Sequence, residues 1–331
     1  MEISPLAIAL GDPAGIGPEI VAKAWDAREQ HGLSPFFAVG DQRSIEAVWP
    51  GPIQLINSPD EASACFGQAL PLIQIVDTGV IIPGEPDLAG ARCALDSLEL
   101  AAGLARSPMV GGLVTAPVAK AQLYAIGFAH PGQTEFVAER CGIAASNAVM
   151  MLAGPSLRAV PITTHMPLRD VSDYVTIDLI LAKARATERG LAKNFGIERP
   201  RLAIAGFNPH AGEQGAIGRE EIELIIPAVE ILQAEGVDIV GPLAADTMFH
   251  PRARAQYDCA LCLYHDQALI PLKTLHFDEG VNMTLGLPIV RTAPDHGTAF
   301  AIAGRNEANP GAMIAAIALA GEAARNRLIH A

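Results

Sequence analysis

Several residue types are scarce in this sequence, and each scarcity argues against a class of protein. The five cysteines are odd in number and widely spread, which argues against a disulfide framework and favours a reducing compartment. Lysine and arginine total 23 against 36 acidic residues, and the formal charge of −13 argues against general binding to nucleic acid or to an anionic membrane. No apolar run is long enough to span a bilayer, and the N-terminus lacks the basic segment of a signal peptide, so we expect a cytoplasmic protein.

Aromatic residues make up only 5% of the chain, although half of it is hydrophobic. The aliphatic residues occur in short runs, such as 5–10, 36–41 and 111–116, which alternate with helical patterns, such as 86–107, 176–195 and 219–235. This alternation predicts an α/β protein with mostly parallel sheets. The 331 residues suggest two domains, and because no Pro/Gly/Ser-rich linker separates them, we expect the chain to cross between them more than once.

Three histidines share one placement, at or just beyond the end of an apolar strand. They are His165 after AVPITT, His210 after RLAIAGF and His265 after CALCL. The carboxyl ends of parallel strands share one edge of a sheet, so imidazoles distant in sequence can form one site there. Three neutral imidazoles suit Zn²⁺ or Co²⁺ and leave coordination positions open for a substrate. The alternative is three unrelated loop histidines.

Basic residues are few, so those close to these motifs are informative. Lys273 follows the strand-like run ALIPL, Asn282 lies in EGVNMTLGLP, and Arg291 ends the strand LPIVR. Together they could hold a phosphate or carboxylate, with arginine as a bidentate fork and lysine as a point charge. Solvated surface groups are the alternative interpretation.

Two further motifs have both a structural and a functional interpretation. Glycines at positions 11, 15 and 17 lie between a strand and a helix, where a loop can present N–H groups to an anion or simply form a tight turn. This loop carries neither the dinucleotide-binding nor the P-loop fingerprint. Cys259 and Cys262 form a C-x-x-C motif, but the apolar segment YDCALCLYH favours two buried core residues over a redox or zinc pair.

Ordered motifs along nearly the whole chain resemble the 4-hydroxythreonine-4-phosphate dehydrogenase family of vitamin B6 biosynthesis. The matching segments are GDPAGIGPE (11–19), TAPVAK (115–120), HPGQTEF (130–136), TTHMPL (163–168), GFNPHAGEQGAIGREE (206–221), GPLAADTMF (241–249), YHDQALIPLK (264–273) and PDHGTAFAIAG (294–304). The resemblance implies two α/β/α domains around a cleft, as in isocitrate and isopropylmalate dehydrogenases, and a homodimer with its active site at the subunit interface. We expect one domain at residues 1–128 plus 300–331 and the other at 129–299.

Site residues follow from the same resemblance. The ligands of a divalent metal (Zn²⁺, Mg²⁺ or Co²⁺) would be His165, His210 and His265, with the third histidine supplied by the partner subunit. The residues that bind substrate would be Gln133, Thr134, Lys273, Asn282 and Arg291. Lys273 and Asp246 are the candidate catalytic residues, and Asp246 and Asp266 are candidates for orienting an imidazole. NAD or NADP would bind without a Rossmann fingerprint.

The implied reaction oxidises 4-phosphooxy-L-threonine at C3 to a β-keto acid, which loses CO₂ to give 3-amino-2-oxopropyl phosphate. One position departs from the family: GHTE reads GQTE, with Gln133 in place of histidine. An amide hydrogen-bonds but cannot carry a proton near neutral pH, so oxidation of a threonate or erythronate 4-phosphate is the alternative. A metal-dependent phosphatase fits less well because such sites bring several carboxylates. The intact His, Lys, Asn and Arg positions argue against an inactive scaffold.

Overall fold

The computed structural model describes residues 3–75 and 79–329. The strands are β1 (Leu6–Ala9), β2 (Phe36–Gly40), β3 (Ile53–Leu55), β4 (Leu70–Gln74), β5 (Gly112–Thr115), β6 (Val149–Gly154), β7 (Leu157–Pro161), β8 (Arg201–Ala205), β9 (Asp238–Leu243), β10 (Cys259–Cys262), β11 (Val281–Leu285) and β12 (Arg291–Pro294). The helices are α1 (Gly17–Asp26), α2 (Gln42–Glu46), α3 (Ala62–Cys65), α4 (Leu88–Leu104), α5 (Lys120–Ala125), α6 (Gln133–Arg140), α7 (Val171–Tyr174), α8 (Ile177–Phe195), α9 (Ile226–Ala234), α10 (Pro251–Arg254), α11 (His265–His276) and α12 (Gly311–Ile329).

The chain packs into two compact units. The first runs to Ala148 and resumes at Leu287, and the second is Val149–Gly286. The predicted domains divided instead after residues 128 and 299, and so assigned α6 and β12 to the second domain. In the structure, Phe136 of α6 lies in the hydrophobic core of the first unit, and Arg291 of β12 pairs with Leu113 of β5 in the same unit.

The sheet of the first unit is entirely parallel, in the order β3-β4-β2-β1-β5-β12. Alternate residues of a strand point to opposite faces, so each face needs its own cover. Ala7 and Leu113 share a buried core with Leu98 of α4 on one face. On the other face, the Thr292 hydroxyl donates to the Ala316 carbonyl of α12 at 2.8 Å.

The sheet of the second unit has the order β11-β6-β7-β10-β8-β9. β6 pairs antiparallel with both β7 and β11, whereas β7, β10, β8 and β9 are parallel. α11 packs on β6, β7 and β10, and α8 packs on β6, β8 and β11. The predicted α/β class with mostly parallel sheets is therefore confirmed in both units.

Two predicted elements differ from the structure, and each contains a proline. The strand-like run ALIPL belongs to α11, where Ala268, Leu269 and Leu272 form a buried helical face and Ile270 is exposed. Pro271 lies inside this helix, a position where proline is unusual. The predicted helix 219–235 begins as a π-helical turn, Glu221–Ile225, and becomes α-helical only at Ile226, next to Pro227.

The C-x-x-C motif is a buried strand, as its apolar context indicated. All four residues of β10 are buried, and all five cysteines are free thiols. Burial raises the pKa of the Cys93 and Cys259 thiols to about 12 and raises that of Cys262 as well. A thiolate is the reactive form, so these three side chains are expected to be chemically inert. Within residues 3–75 and 79–329, no helix is long and apolar enough to cross a membrane.

Thiol labelling tests this packing. We expect iodoacetamide to modify the partly exposed Cys65 and Cys141 in the native protein, and Cys93, Cys259 and Cys262 only after unfolding, because burial suppresses their ionisation. Mass spectrometry of peptides from native and urea-unfolded samples measures the order. Native labelling of Cys259 as fast as Cys65, or a disulfide between Cys259 and Cys262, would contradict the prediction.

Candidate active site and metal centre

Three parallel strands of the second unit lie side by side and carry the three histidines. Ala260 of β10 is aligned with Ala159 of β7 on one side and with Ala203 of β8 on the other. The carboxyl ends of these strands therefore lie at the same edge. His165 follows β7, His210 follows β8, and His265 follows β10 as the first residue of α11.

The structure brings two of these imidazoles together. The ring centroids of His165 and His265 are 5.5 Å apart, with 47° between the ring planes. Both rings line a cavity of about 250 Å³, together with Thr164, Met166, Leu168, Val171, Tyr264 and Asp266. Two imidazoles that share one cavity wall suit a divalent transition-metal ion.

Asp266 determines which nitrogen of His265 faces the cavity. Its Oδ1 lies 2.7 Å from Nδ1 of His265, and since a carboxylate only accepts, Nδ1 carries the proton. Nε2 is then left as a lone-pair donor for a metal ion. Carboxylates commonly hold ligating histidines in this tautomer.

Two buried side chains link the three strand ends. The Thr163 hydroxyl, which precedes His165 by two residues, donates to the Leu263 carbonyl at 2.8 Å. The Gln267 amide accepts from the Leu263 N–H at 2.7 Å and donates to the Gly206 carbonyl at 2.8 Å. The loops that carry His165, His265 and His210 are thereby connected through buried hydrogen bonds.

His210 begins a turn of left-handed backbone. Residues His210–Gln214 all have positive φ, between 42° and 79°, and only Gly212 among them is glycine. A left-handed helical conformation costs about 1–2 kcal/mol for each non-glycine residue, so surrounding contacts must hold it. Within the described part of one chain, no three His, Cys, Asp or Glu side chains surround a point where a metal ion could bind, so His210 does not complete the His165–His265 pair there.

Asp246 lies in an exposed turn after β9, where the Thr247 N–H donates to the Ala244 carbonyl at 3.1 Å. Its carboxylate bonds to no histidine among the residues described. Of the two candidates for orienting an imidazole, Asp266 is thus the one that contacts a histidine within the chain. A catalytic role for Asp246 stays a prediction.

Among the candidate site residues of the first unit, Arg291 carries a buried positive charge. Its side chain is only 3% exposed, and its guanidinium donates to the hydroxyls of Thr115 (2.8 Å) and Thr134 (3.2 Å). Burial lowers the pKa of Arg291 to about 10, an effect that Glu135 partly offsets, so the group remains charged at neutral pH. A desolvated guanidinium of this kind binds phosphate or carboxylate strongly.

Gln133 lies beside Thr134 at the start of α6, and its hydrogen bonds determine the orientation of its amide. Nε2 donates to the Ala116 carbonyl at 3.2 Å, and a carbonyl only accepts, so Oε1 points the other way. Oε1 is buried with no hydrogen-bond partner among the described residues. It is therefore an open acceptor for a donor group on a ligand.

Lys273 and Asn282 both lie in the second unit. Lys273 is half-buried on α11, two turns after His265, and Asn282 is on β11, where it pairs with Leu152 of β6. Oδ1 of Asn282 is a second buried acceptor with no partner among the residues described. Gln133, Thr134 and Arg291 belong to the first unit.

The glycine-rich loop at 11–17 is explained by packing. Gly11 has φ +70°, and a Cβ at Gly11 would collide with the Pro117 carbonyl, while one at Gly17 would collide with the Leu10 carbonyl. These glycines therefore allow close approach of backbones in a tight turn. They do not form an open cradle for an anion.

Three contributing residues were not identified from the sequence: Thr115, Thr163 and Gln267. Each is a buried polar residue at the end of an apolar strand or two residues from a predicted histidine. A polar side chain at the end of an apolar run was the available signal. It did not reveal the hydrogen-bond partners Arg291, Leu263 and Gly206, because these are distant in the chain from Thr115, Thr163 and Gln267, respectively.

The fold and the paired imidazoles are those of an α/β metabolic enzyme. The chain belongs to the family of the pyridoxal phosphate biosynthetic protein PdxA, whose family model matches residues 34–320. The family predicted from the motifs is thereby confirmed, and with it the assignment to the oxidoreductases.

Named relatives cover nearly the whole chain. It is 58% identical over 329 residues to the 4-hydroxythreonine-4-phosphate dehydrogenase of Zymomonas mobilis subsp. mobilis, covering 99% of this chain and 98% of the relative. The crystal structure of the enzyme of that name from Klebsiella pneumoniae matches with a TM-score of 0.86 at 35% identity, covering 97% of this chain and 99% of the other. A terephthalate 1,2-cis-dihydrodiol dehydrogenase from Burkholderia xenovorans matches with a TM-score of 0.67 at 28% identity, covering 97% and 98%.

The tautomer of His265 is directly testable. We expect nitrogen-15 NMR of histidine-labelled, metal-free protein to show His265 protonated at Nδ1, because the Asp266 carboxylate accepts that proton. Asp266→Asn should weaken this preference, whereas Asp278→Asn, which removes an exposed carboxylate beyond the end of α11, should not. A wild-type His265 protonated at Nε2 alone would contradict the geometry.

Proposed function

We propose that this protein is a divalent-metal-dependent 4-hydroxythreonine-4-phosphate dehydrogenase that uses NAD or NADP. It would oxidise 4-phosphooxy-L-threonine at C3, and the β-keto acid would then lose CO₂ to give 3-amino-2-oxopropyl phosphate for pyridoxal phosphate synthesis. The observation that carries the proposal is 58% identity over 99% of the chain to an enzyme of that name. Histidines beyond the ends of three neighbouring parallel strands support it.

His165, His210 and His265 would hold the metal ion, Zn²⁺, Mg²⁺ or Co²⁺. The pairing of the His165 and His265 rings and the proton on Nδ1 of His265 support this assignment. Since the described residues of one chain do not gather three ligands, we propose a homodimer in which a second copy of the chain completes the set. The free thiols support a cytoplasmic location for it.

Arg291 and Lys273 would hold the anionic groups of the substrate. Arg291 is preorganised by the Thr115 and Thr134 hydroxyls, so little reorganisation is needed when a phosphate or carboxylate arrives. Lys273 supplies a second positive charge from α11.

Gln133 and Asn282 would orient the substrate through the two open acceptors. Because Oε1 of Gln133 accepts but cannot donate, it favours a hydroxyl or ammonium group over a phosphate oxygen. 4-Phosphooxy-L-threonine offers both such donors.

When bound, the metal ion would lower the pKa of the substrate hydroxyl and the nicotinamide would accept the hydride. The residues of the chain contribute binding, orientation and charge. Asp266 keeps the proton on Nδ1 of His265 and so keeps Nε2 available as a ligand. Lys273 and Asp246 remain the candidates for moving a proton during the reaction.

A substrate comparison tests the proposal. With added Zn²⁺, Mg²⁺ or Co²⁺, we expect the purified protein to reduce NAD⁺ or NADP⁺ with 4-phosphooxy-L-threonine, and far less with D-threonate or D-erythronate 4-phosphate. The reason is the 58% identity over 99% of this chain to an enzyme named for that substrate. Absorbance of the reduced nicotinamide measures the rates, and chelation of the metal should abolish them.

Each outcome is informative. Preference for a sugar-acid phosphate would contradict the proposed substrate but retain the reaction type. Activity that survives complete chelation would remove the metal from the proposal. Product formation that needs no NAD(P)⁺ would replace the dehydrogenase with a hydrolase.

Gln133→His tests whether the amide only binds. We expect the variant to keep the same order of substrates, with KM changed by roughly tenfold or less, because an imidazole N–H can also donate to the Ala116 carbonyl. The pH profile of kcat/KM should gain a new ionisation, because histidine titrates near neutral pH. Gln68→His, an exposed position in the first unit, is the matched control. A reversed substrate order would contradict the binding role.

A further inference from the structure

The loop that carries His210 is held in a left-handed turn that its residues do not favour. His210, Ala211, Glu213 and Gln214 are all non-glycine residues with positive φ. Such a run persists only where surrounding contacts over-determine it. A residue that makes those contacts therefore helps to fix the position of the His210 imidazole.

The carboxylate of Glu221 makes the contacts at the start of the loop. Glu221 is only 2% exposed, although it begins the π-helical turn Glu221–Ile225 at the surface of the second unit. Its Oε1 accepts from the backbone N–H of Asn208 at 2.7 Å, and its Oε2 accepts from Nδ2 of Asn208 at 3.0 Å. Asn208 precedes His210 by two residues, so both bonds act on the entry to the turn.

The same carboxylate packs against the middle of the turn. A Cβ placed on Gly212 would lie 2.5 Å from Oε2 of Glu221, and one placed on Gly206 would lie 3.3 Å from Oε1. Glu221 is thus enclosed by the loop on two sides, with no room for a larger residue at Gly212. Burying a carboxylate is costly unless it is fully hydrogen-bonded, so the loop and the carboxylate depend on each other.

We propose that Glu221 is a positioning residue for the metal site: it holds the strained turn so that the His210 imidazole is preorganised to bind the ion. The inference rests on the proposed metal-binding role of His210. Glu221 would act through Asn208 and the turn and is not itself proposed as a ligand. Groups behind metal ligands commonly change metal affinity by roughly tenfold to a hundredfold.

Glu221→Gln is the sharpest test because it preserves the shape of the side chain. Whichever way the new amide turns, one of its two atoms is an NH₂ group facing an Asn208 donor, so one of the two bonds is lost. Glu223→Gln is the matched control: it removes the same charge from the same turn, at an exposed residue paired with Arg219. His210→Ala reports the loss of the imidazole itself.

The readout is Co²⁺ affinity of the full-length protein, followed by its visible absorption, with thermal unfolding and hydrogen exchange of residues 206–216 measured alongside. We expect Glu221→Gln to weaken Co²⁺ binding by roughly tenfold to a hundredfold and to accelerate exchange in the loop. Glu223→Gln should match the wild type. His210→Ala should weaken binding at least as much as Glu221→Gln.

A second variant covers the case in which Glu221→Gln does not fold. Gly212→Ala leaves Glu221 in place but displaces its carboxylate, and it should weaken Co²⁺ binding, whereas Gly236→Ala, at similar φ but in open space, should not. Lower thermal stability with unchanged Co²⁺ affinity in Glu221→Gln and Gly212→Ala would overturn the positioning role. Unchanged affinity in His210→Ala would instead overturn the metal role on which it rests.

Discussion

Parallel pairing of three buried strands governs the arrangement of the candidate site. β10 lies between β7 and β8, and all of its residues are buried. In parallel strands all carboxyl ends lie at one edge, so loops distant in the chain open onto the same region. A shift in that register would move His165, His210 and His265 relative to one another. The bonds of Thr163 and Gln267 to Leu263 oppose such a shift just beyond the strands.

Each unit contains candidate site groups that are costly to bury or to hold. Arg291 carries its charge in a buried position, and the His210 turn keeps a run of non-glycine residues in a left-handed conformation. Threonine hydroxyls stabilise the first, and the Glu221 carboxylate stabilises the second. Both arrangements lower the stability of the folded protein but fix the geometry of the groups. This is common where a site must bind a metal ion or an anion without rearranging.

Particular residues show which structural features local sequence patterns could predict and which they could not. The strands before His165, His210 and His265 were predictable because short aliphatic runs bounded by polar residues are typical of buried strands. α11 was not predictable in the same way, because ALIPL is itself a short apolar run, and its buried face appears only when Ala268, Leu269 and Leu272 are viewed on a helix. The C-x-x-C motif was interpretable because apolar neighbours on both sides leave cysteine no polar partner. The hydrogen bonds of Gln267 with Gly206 and of Glu221 with Asn208 could not be predicted from the sequence, because in each case the partner lies in a different segment of the chain.

The sequence by itself determined the α/β class and the family, and it identified His165, His210, His265 and Arg291 as candidate site residues. These follow from hydrophobic periodicity and ordered motifs, which are local properties of the chain. Only the tertiary structure decided that the rings of His165 and His265 meet, that Asp266 rather than Asp246 bonds to a histidine, and that Oε1 of Gln133 remains open. It also showed that His210 does not join the pair within one chain. Distances between side chains arise from strand register and loop conformation, which no local pattern encodes.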